Sequence, residues 1–540
     1  MRFLRFLRLL GRWVWNILRV SHILVFGTLA LVLLIALVVS LFAERGIRIP
    51  ADSALEIVLE GNIVEQRSEI DPVSIALGGE DLPDELLLSD IVAALEDAAG
   101  DQRIKLVVLR LQGLLSAGPA ALHRIGEAVA GLRKAGKPVL AYGDIITQPH
   151  YLVASHADAV YLNPSGLVEI LGYGSFPVYF REALDKLRVS VNVFRVGEYK
   201  SAVEPLLRND MSEAARTATR DFLAVLWRHY TQTVADARGA KGADLSGDFA
   251  AVPDKLRAVG GDLAQMALAE HLVDGLLARD AFDDLIAERL GIKADEADAH
   301  RVDLATYRAA HHAASFGKDR IAVIHAVGEI LDGEQPAGTV GGDTLSALIE
   351  RARRDDSVKA IVLRIDSPGG SAFASEVIRR ALARAQADGK PVVASMGSVA
   401  ASGGYWIAAS ADEIWAAPTT ITGSIGIFGF IPTFERSLDA IGVHADGVGT
   451  TALAGQFALT RPLGEDARAI VQLAVEDGYR KFLAIVAEGR HMTAADIDAI
   501  AQGRVWAGET AHRLGLVDHL GNLQEAVDAA ARLANLKPGT

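Results

Sequence analysis

Two short segments of this chain carry residues that could do acyl chemistry. Gly397-Ser398-Val399-Ala400-Ala401-Ser402-Gly403-Gly404-Tyr405-Trp406 follows an apolar strand and leads into an apolar helix. A serine at such a junction is exposed to a ligand, and a helix N-terminus favours developing negative charge. Ser402 reads equally well as a nucleophile or as an N-cap among small residues, with Ser395 and Ser398 as competitors. Asp366-Ser367-Pro368-Gly369-Gly370-Ser371 follows another apolar strand. Its proline fixes one turn torsion, and its two glycines permit the next ones and present bare N–H groups, the requirement of an oxyanion hole. Taken alone it is a tight strand-to-helix turn.

A serine nucleophile needs a base. His325, His444, His491, His512 and His519 lie in the second half of the chain, none of them in a glycine-rich or turn motif. Lysine is the alternative, provided it is neutral. At an ordinary pKa of about 10.4 only about one lysine in two thousand is neutral at pH 7, so a lysine base needs burial to lower its pKa by roughly three units. Lys200 sits in Val196-Gly197-Glu198-Tyr199-Lys200-Ser201-Ala202-Val203-Glu204-Pro205. By itself that segment reads as a solvated lysine opening a loop.

The elements that position these residues occur twice. Val107-Val108-Leu109-Arg110 is echoed by Ile361-Val362-Leu363-Arg364, and Gly136-Lys137-Pro138-Val139 by Gly389-Lys390-Pro391-Val392. Phe180, Leu184 and Asp185 recur as Phe434, Leu438 and Asp439. Self-similarity at a fixed offset means a repeated unit. The copies differ where chemistry would sit. Ser402 faces Gln148 in copy one, Lys200 faces Ala454 in copy two, and the double-glycine turn faces Gln112-Gly113-Leu114-Leu115-Ser116. Each half keeps one functional group. Asp518 recurs as Asp274, in the copy without the serine, and is therefore structural.

Within each copy, short apolar β-rich runs (54–59, 104–111, 321–326, 360–365) alternate with helical spacing at 90–99 and 341–354. That alternation predicts α/β architecture with parallel strands and crossover helices. Residues 211–240 and 466–489 read as corresponding long helices, and 309–318 as a linker. The expected domains are 45–315 and 316–540, preceded by a basic segment at 1–22 and a membrane anchor at 23–43.

Residues 23–43 form a run without charge, preceded by Arg2, Arg5, Arg8, Arg12 and Arg19 and followed by Glu44. About 20 apolar residues span a bilayer, and the positive-inside rule puts the start of the chain in the cytoplasm and the rest across the membrane. A cleaved signal peptide is the alternative, disfavoured by the length of the run and by Leu41-Phe42-Ala43 as a cleavage site. The arginines alternate with Phe3, Leu4, Phe6 and Leu7, as in a helix lying along the inner membrane surface. A net charge of −14 argues against a nucleic-acid partner, and the lack of cysteine excludes disulfides and thiolate chemistry.

Tyr199-Lys200-Ser201-Ala202-Val203-Glu204-Pro205, Ala401-Ser402-Gly403-Gly404-Tyr405-Trp406, Asp366-Ser367-Pro368-Gly369-Gly370 and Thr422-Gly423-Ser424-Ile425-Gly426 together resemble the signal peptide peptidase A family, in its long two-repeat Gram-negative form. The resemblance covers nearly the whole chain. It implies a Clp-protease-like or crotonase-like fold in each repeat, Ser402 as nucleophile, Lys200 as general base and Ser424 as the residue that orients the lysine. It implies Gly369 and Gly403 N–H groups as the oxyanion hole, with Gly370 a near competitor. It further implies cleaved signal peptides and other apolar peptides as substrates, periplasmic catalytic domains on the inner membrane, and a homotetramer. No metal or cofactor is required. A crotonase-type acyl-CoA enzyme and a non-catalytic scaffold binding envelope peptides are the rival readings.

Overall fold

The computed structural model describes residues 48–69, 84–239, 249–311 and 318–537, with Leu245, Gly247, and Trp15, Ser21, His22, 26–35 and Leu37 toward the amino terminus. Most of the basic segment 1–22 and half of the expected span 23–43 lie outside these residues. Residues 26–35 are helical, with Phe26, Leu29 and Leu31–Ile35 exposed. Among the described residues no helix is long and apolar enough to cross a membrane.

Among the described residues each half builds a seven-stranded sheet. In the first, Glu85–Leu87, Ser53–Val64, Ile104–Ser116, Val139–Thr147, Ala159–Glu169 and Gly275–Leu276 follow one another, all parallel, and Arg301–Asp303 also pairs with Ser53–Val64. In the second, Arg320–Val327, Val358–Ser367 and Val392–Ala401 lie side by side. Glu413–Ala416 and Ile421–Gly423 both pair with the last of these. The apolar central strands are buried on both faces, which is why they read as continuous Val/Ile/Leu runs rather than alternating ones. Helices Leu88–Gly100 and Pro119–Lys134 cover one sheet, Gly342–Arg354 and Ala372–Ala387 the other. The long helices predicted at 211–240 and 466–489 are Glu213–Arg238 and Glu465–Arg490. Most of the expected linker, 312–317, lies outside the described residues.

One small sheet joins the halves. Ser190–Arg195 of the first runs antiparallel to Phe428–Thr433 of the second, with Arg195 opposite Phe428 and Ser190 opposite Thr433. Phe194 is thereby buried against Leu463, Ala467 and Val475. The chain leaving Arg195 is delivered into the second half, and Lys200 lies five residues on.

Candidate active site

Ser402 stands between the strand Val392–Ala401 and the short helix Gly403–Ala408. Its backbone is held at φ +54°, ψ −116°, outside the regions that side-chain-bearing residues ordinarily occupy. The bond from Ser402 N–H to Gly423 O, 2.9 Å, keeps it there. Although Ser402 occupies the N-cap position, its side chain makes no capping bond. Its Oγ lies 3.1 Å from Lys200 Nζ instead. The counterpart Gln148 is in the first turn of an ordinary helix, and its Oε1 accepts from Leu171 and Gly172 N–H. The strained backbone is therefore present only in the copy with the serine.

Lys200 is 3% exposed. Its Nζ is within 3.0 Å of both Ser424 O and Ser424 Oγ. Burial lowers its pKa to about 8, because an ammonium is poorly solvated there. The Phe428 ring lies 6.0 Å away. Three backbone bonds place the segment: Val196 N–H to Ile427 O (3.2 Å), Tyr199 N–H to Gln502 O (2.8 Å) and Gly503 N–H to Ile425 O (2.8 Å). Gly503 has φ +78°, and a Cβ there would fall 2.7 Å from Lys200 N and Cβ. Gly197, φ +109°, would strike the Gln502 backbone in the same way. Ser424, φ +51°, is anchored by its own N–H to Arg504 O, 2.7 Å.

The glycine turn packs directly on Ser402. A Cβ on Gly369 would lie 2.6 Å from Gly403 N and 2.8 Å from Ser402 Cβ. The Gly369 N–H is directed at Ser367 Oγ, 3.2 Å away. Gly369 O accepts from Ile330 N–H and Ser371 N–H donates to Ile330 O, which leaves the Gly370 N–H without an acceptor among the described residues. The Gly403 N–H, at the start of its helix, is likewise free of a protein acceptor among them. The turn therefore offers Gly370 and Gly403, where the family resemblance names Gly369 and Gly403.

The competing residues lie elsewhere. Ser395 Oγ accepts from Arg364, and Ser398 packs against Gly118 of the first half. His444 pairs with Asp439, His512 Nδ1 contacts Val517 O, His519 lies beside Glu413, His491 ends a helix, and His325 lies opposite Arg364. No histidine bonds Ser402 among the described residues. Asp518 and Asp274 each take an arginine and a strand N–H, Arg490 with Ile414 and Arg238 with Val160. Among the described residues no cluster of His, Asp and Glu could hold a metal ion.

This geometry, a buried amine against a strained serine beside two free N–H groups, suits acyl transfer. The sequence pattern of peptidase family S49 matches residues 131–288 and, a second time, 384–537. The chain belongs to peptidase family S49. It is 42% identical to Protease 4 of Salmonella typhi, over 99% of this chain and 87% of that protein. It is 40% identical to Protease 4 of Haemophilus influenzae, over 98% and 87% respectively, and 30% identical to the chloroplastic serine protease SPPA of Arabidopsis thaliana, over 92% and 71%. A mutant ClpP1 from Listeria monocytogenes aligns with 38% of this S49 chain and 94% of its own, at 14% identity and a TM-score of 0.26. The S49 match and these relatives make the protein a serine protease with the S49 unit repeated.

Sequence reasoning missed Gly197, Gly503 and the 502–504 backbone that seats Lys200. The only signal for them was a glycine at each of the first two positions.

Proposed function

We propose that this S49 protease cuts peptides with a Ser402–Lys200 dyad. Neutral Lys200 takes the hydroxyl proton as Ser402 Oγ attacks the peptide carbonyl. The tetrahedral oxyanion is bound by the N–H groups of Gly370 and Gly403. Protonated Lys200 then gives its proton to the leaving amine, and water, deprotonated by Lys200, hydrolyses the acyl-enzyme. Ser424 Oγ and O orient the lysine. The observation that carries this reading is the buried Nζ 3.1 Å from a serine whose backbone is strained only in the copy that has it.

The pH profile tests it. A base of pKa about 8 is protonated below that value, so kcat/KM rises about tenfold per pH unit up to about pH 8 and levels above. A fluorophosphonate probe labels Ser402 along the same curve, read by peptide mapping. A profile flat from pH 6 to 9 overturns Lys200 as the base.

The substrates that suit the site are cleaved signal peptides and other apolar peptides, met at the inner membrane by a chain anchored through 23–43 with its two repeats in the periplasm. The uncharged run after five arginines supports the anchor.

The working unit is a ring of identical chains, four by the family resemblance. Its support is a pairing left half-used. The repeat counterparts of Phe428–Thr433 and Ser190–Arg195 are residues 174–179 and 444–449, and neither is paired with a strand among the described residues. Phe176 is 92% exposed and Val448, counterpart of the buried Phe194, is fully exposed. Head-to-tail pairing of 174–179 with 444–449 of a second copy would bury both, and such a heterologous contact gives a ring when its rotation closes. Light scattering of the detergent-solubilised protein is expected to give four chains and Val448→Asp a monomer. A wild-type monomer rules the ring out.

A further inference from the structure

The strand that carries Ser402 is irregular at one place. Ile365 pairs with Met396 and Ser367 with Ala400, so Asp366 alone stands opposite Gly397, Ser398 and Val399. A bulge leaves ladder groups unpaired and re-aims the side chains beyond it. Here Ser402 comes three residues later. The stray groups are taken up by side chains on both flanks. Asp366 Oδ1 accepts from Val399 N–H at 2.8 Å, and the Ser398 N–H also faces that carboxyl. Thr420 Oγ1, fully buried, donates to Gly397 O at 2.7 Å and accepts from Ala417 N–H at 3.0 Å.

The strands before the bulge are fixed independently. Arg364 donates to Ser395 Oγ and Met396 O, each 2.9 Å, and to Glu65 Oε1 of the first half at 2.5 Å. The freedom that remains is in the bulge itself. The other copy supplies the comparison. Where the second has Asp366 and Thr420, the first has Gln112, which is exposed, and Gly166. Ile145, in the place of Val399, is exposed there. The copy without the serine lacks both clamps.

We infer that Asp366 and Thr420 are positioning residues of the proteolytic site, which clamp the Gly397–Val399 bulge and so aim Ser402 at the two free N–H groups of the turn. This rests on Ser402 being the nucleophile. What the clamp requires is an acceptor oxygen opposite Val399 and a donor opposite Gly397. Burial pushes the Asp366 acid up to about 6, which still leaves a carboxylate at pH 8, and what the Val399 N–H takes from it is an acceptor oxygen that an amide also carries.

The experiment measures kcat and KM on a fluorogenic apolar peptide, together with the rate of fluorophosphonate labelling, for the full chain and its variants. Asp366→Ala and Thr420→Val are expected to lower kcat and the labelling rate by about ten- to a hundredfold with KM within about threefold of wild type, as a small misplacement of a reacting atom does. Asp366→Asn, whose amide oxygen still accepts, is expected to recover kcat to within about threefold. Wild-type kcat in Asp366→Ala, or Asp366→Asn as impaired as Asp366→Ala, overturns the clamp. If Asp366→Ala does not fold, Thr420→Val decides, and wild-type kcat there overturns it equally. Ser402→Ala is run alongside. Activity surviving in Ser402→Ala removes the nucleophile assignment, whereas a failed clamp shows as full activity in Asp366→Ala with Ser402→Ala inert.

Discussion

Peptide hydrolysis is expected to fall by about a thousandfold or more in kcat/KM on Lys200→Ala, and by a similar factor on Ser402→Ala. The hydroxyl of Ser402 has one basic neighbour among the described residues, the Lys200 amine at 3.1 Å, and the five histidines of the second half are all engaged or placed elsewhere. Without the amine, Ser402 must lose its proton to water, and the leaving amine must find a proton unaided. The two groups act as one unit, so the double variant is expected to be no worse than either single one. Comparison of kcat/KM for the four proteins on one peptide checks this. A Lys200→Ala variant within tenfold of wild type would mean that another base serves. Two single losses that multiply in the double variant would mean that the groups act separately.

Gly503→Ala is expected to lower kcat about a hundredfold although residue 503 touches neither the serine nor the proton. Its φ of +78° costs a side-chain-bearing residue roughly 1–2 kcal/mol. The larger effect is steric. The new methyl would lie 2.7 to 2.8 Å from Lys200 N, Cβ and Cα, three atoms that cannot swing aside as a side-chain tip can. The lysine backbone must retreat, and the Nζ retreats with it from both Ser402 and Ser424. Steady-state kinetics with a thermal melt separate this from unfolding: a large fall in kcat with a shift of a few degrees is expected. Wild-type kcat would show that the close approach of 503 to Lys200 is not needed for its placement.

Much of the architecture was legible in the chain. The strands 104–111 and 360–365 are apolar throughout because both faces of each sheet are covered, and they appear as Ile104–Ser116 and Val358–Ser367. Helical periodicity located Gly342–Arg354 to within a residue. At the site, Ser402 and Lys200 stood out through complementary losses between the copies and through resemblance, whereas their own segments left a cap and a solvated lysine open. What could not be read was the contact between the copies. Ser190–Arg195 meets Phe428–Thr433 across more than two hundred residues, and no local pattern specifies which strand edge another will find. Also hidden was the contact of the Gly369 N–H with the Ser367 hydroxyl, which bears on whether Gly369 or Gly370 is the oxyanion donor. The clamp of Asp366 and Thr420 answers a register shift, and a shift exists only once two strands are laid side by side.

The small sheet between the halves bears on the birth of the protein. Lys200 and Ser402 are separated by 202 positions in the chain. A ribosome adding about 5–20 residues per second takes roughly 10–40 s to travel from one to the other. Throughout that interval the nascent chain holds an amine with no serine to serve. Ser402 is made before Phe428–Thr433, the strand whose pairing with Ser190–Arg195 brings the Lys200 segment to it in the proposed dyad. With the proposed Ser402–Lys200 dyad, a product that stops before Phe428–Thr433 is expected to be inert, because it lacks the strand that holds the two halves of the dyad together.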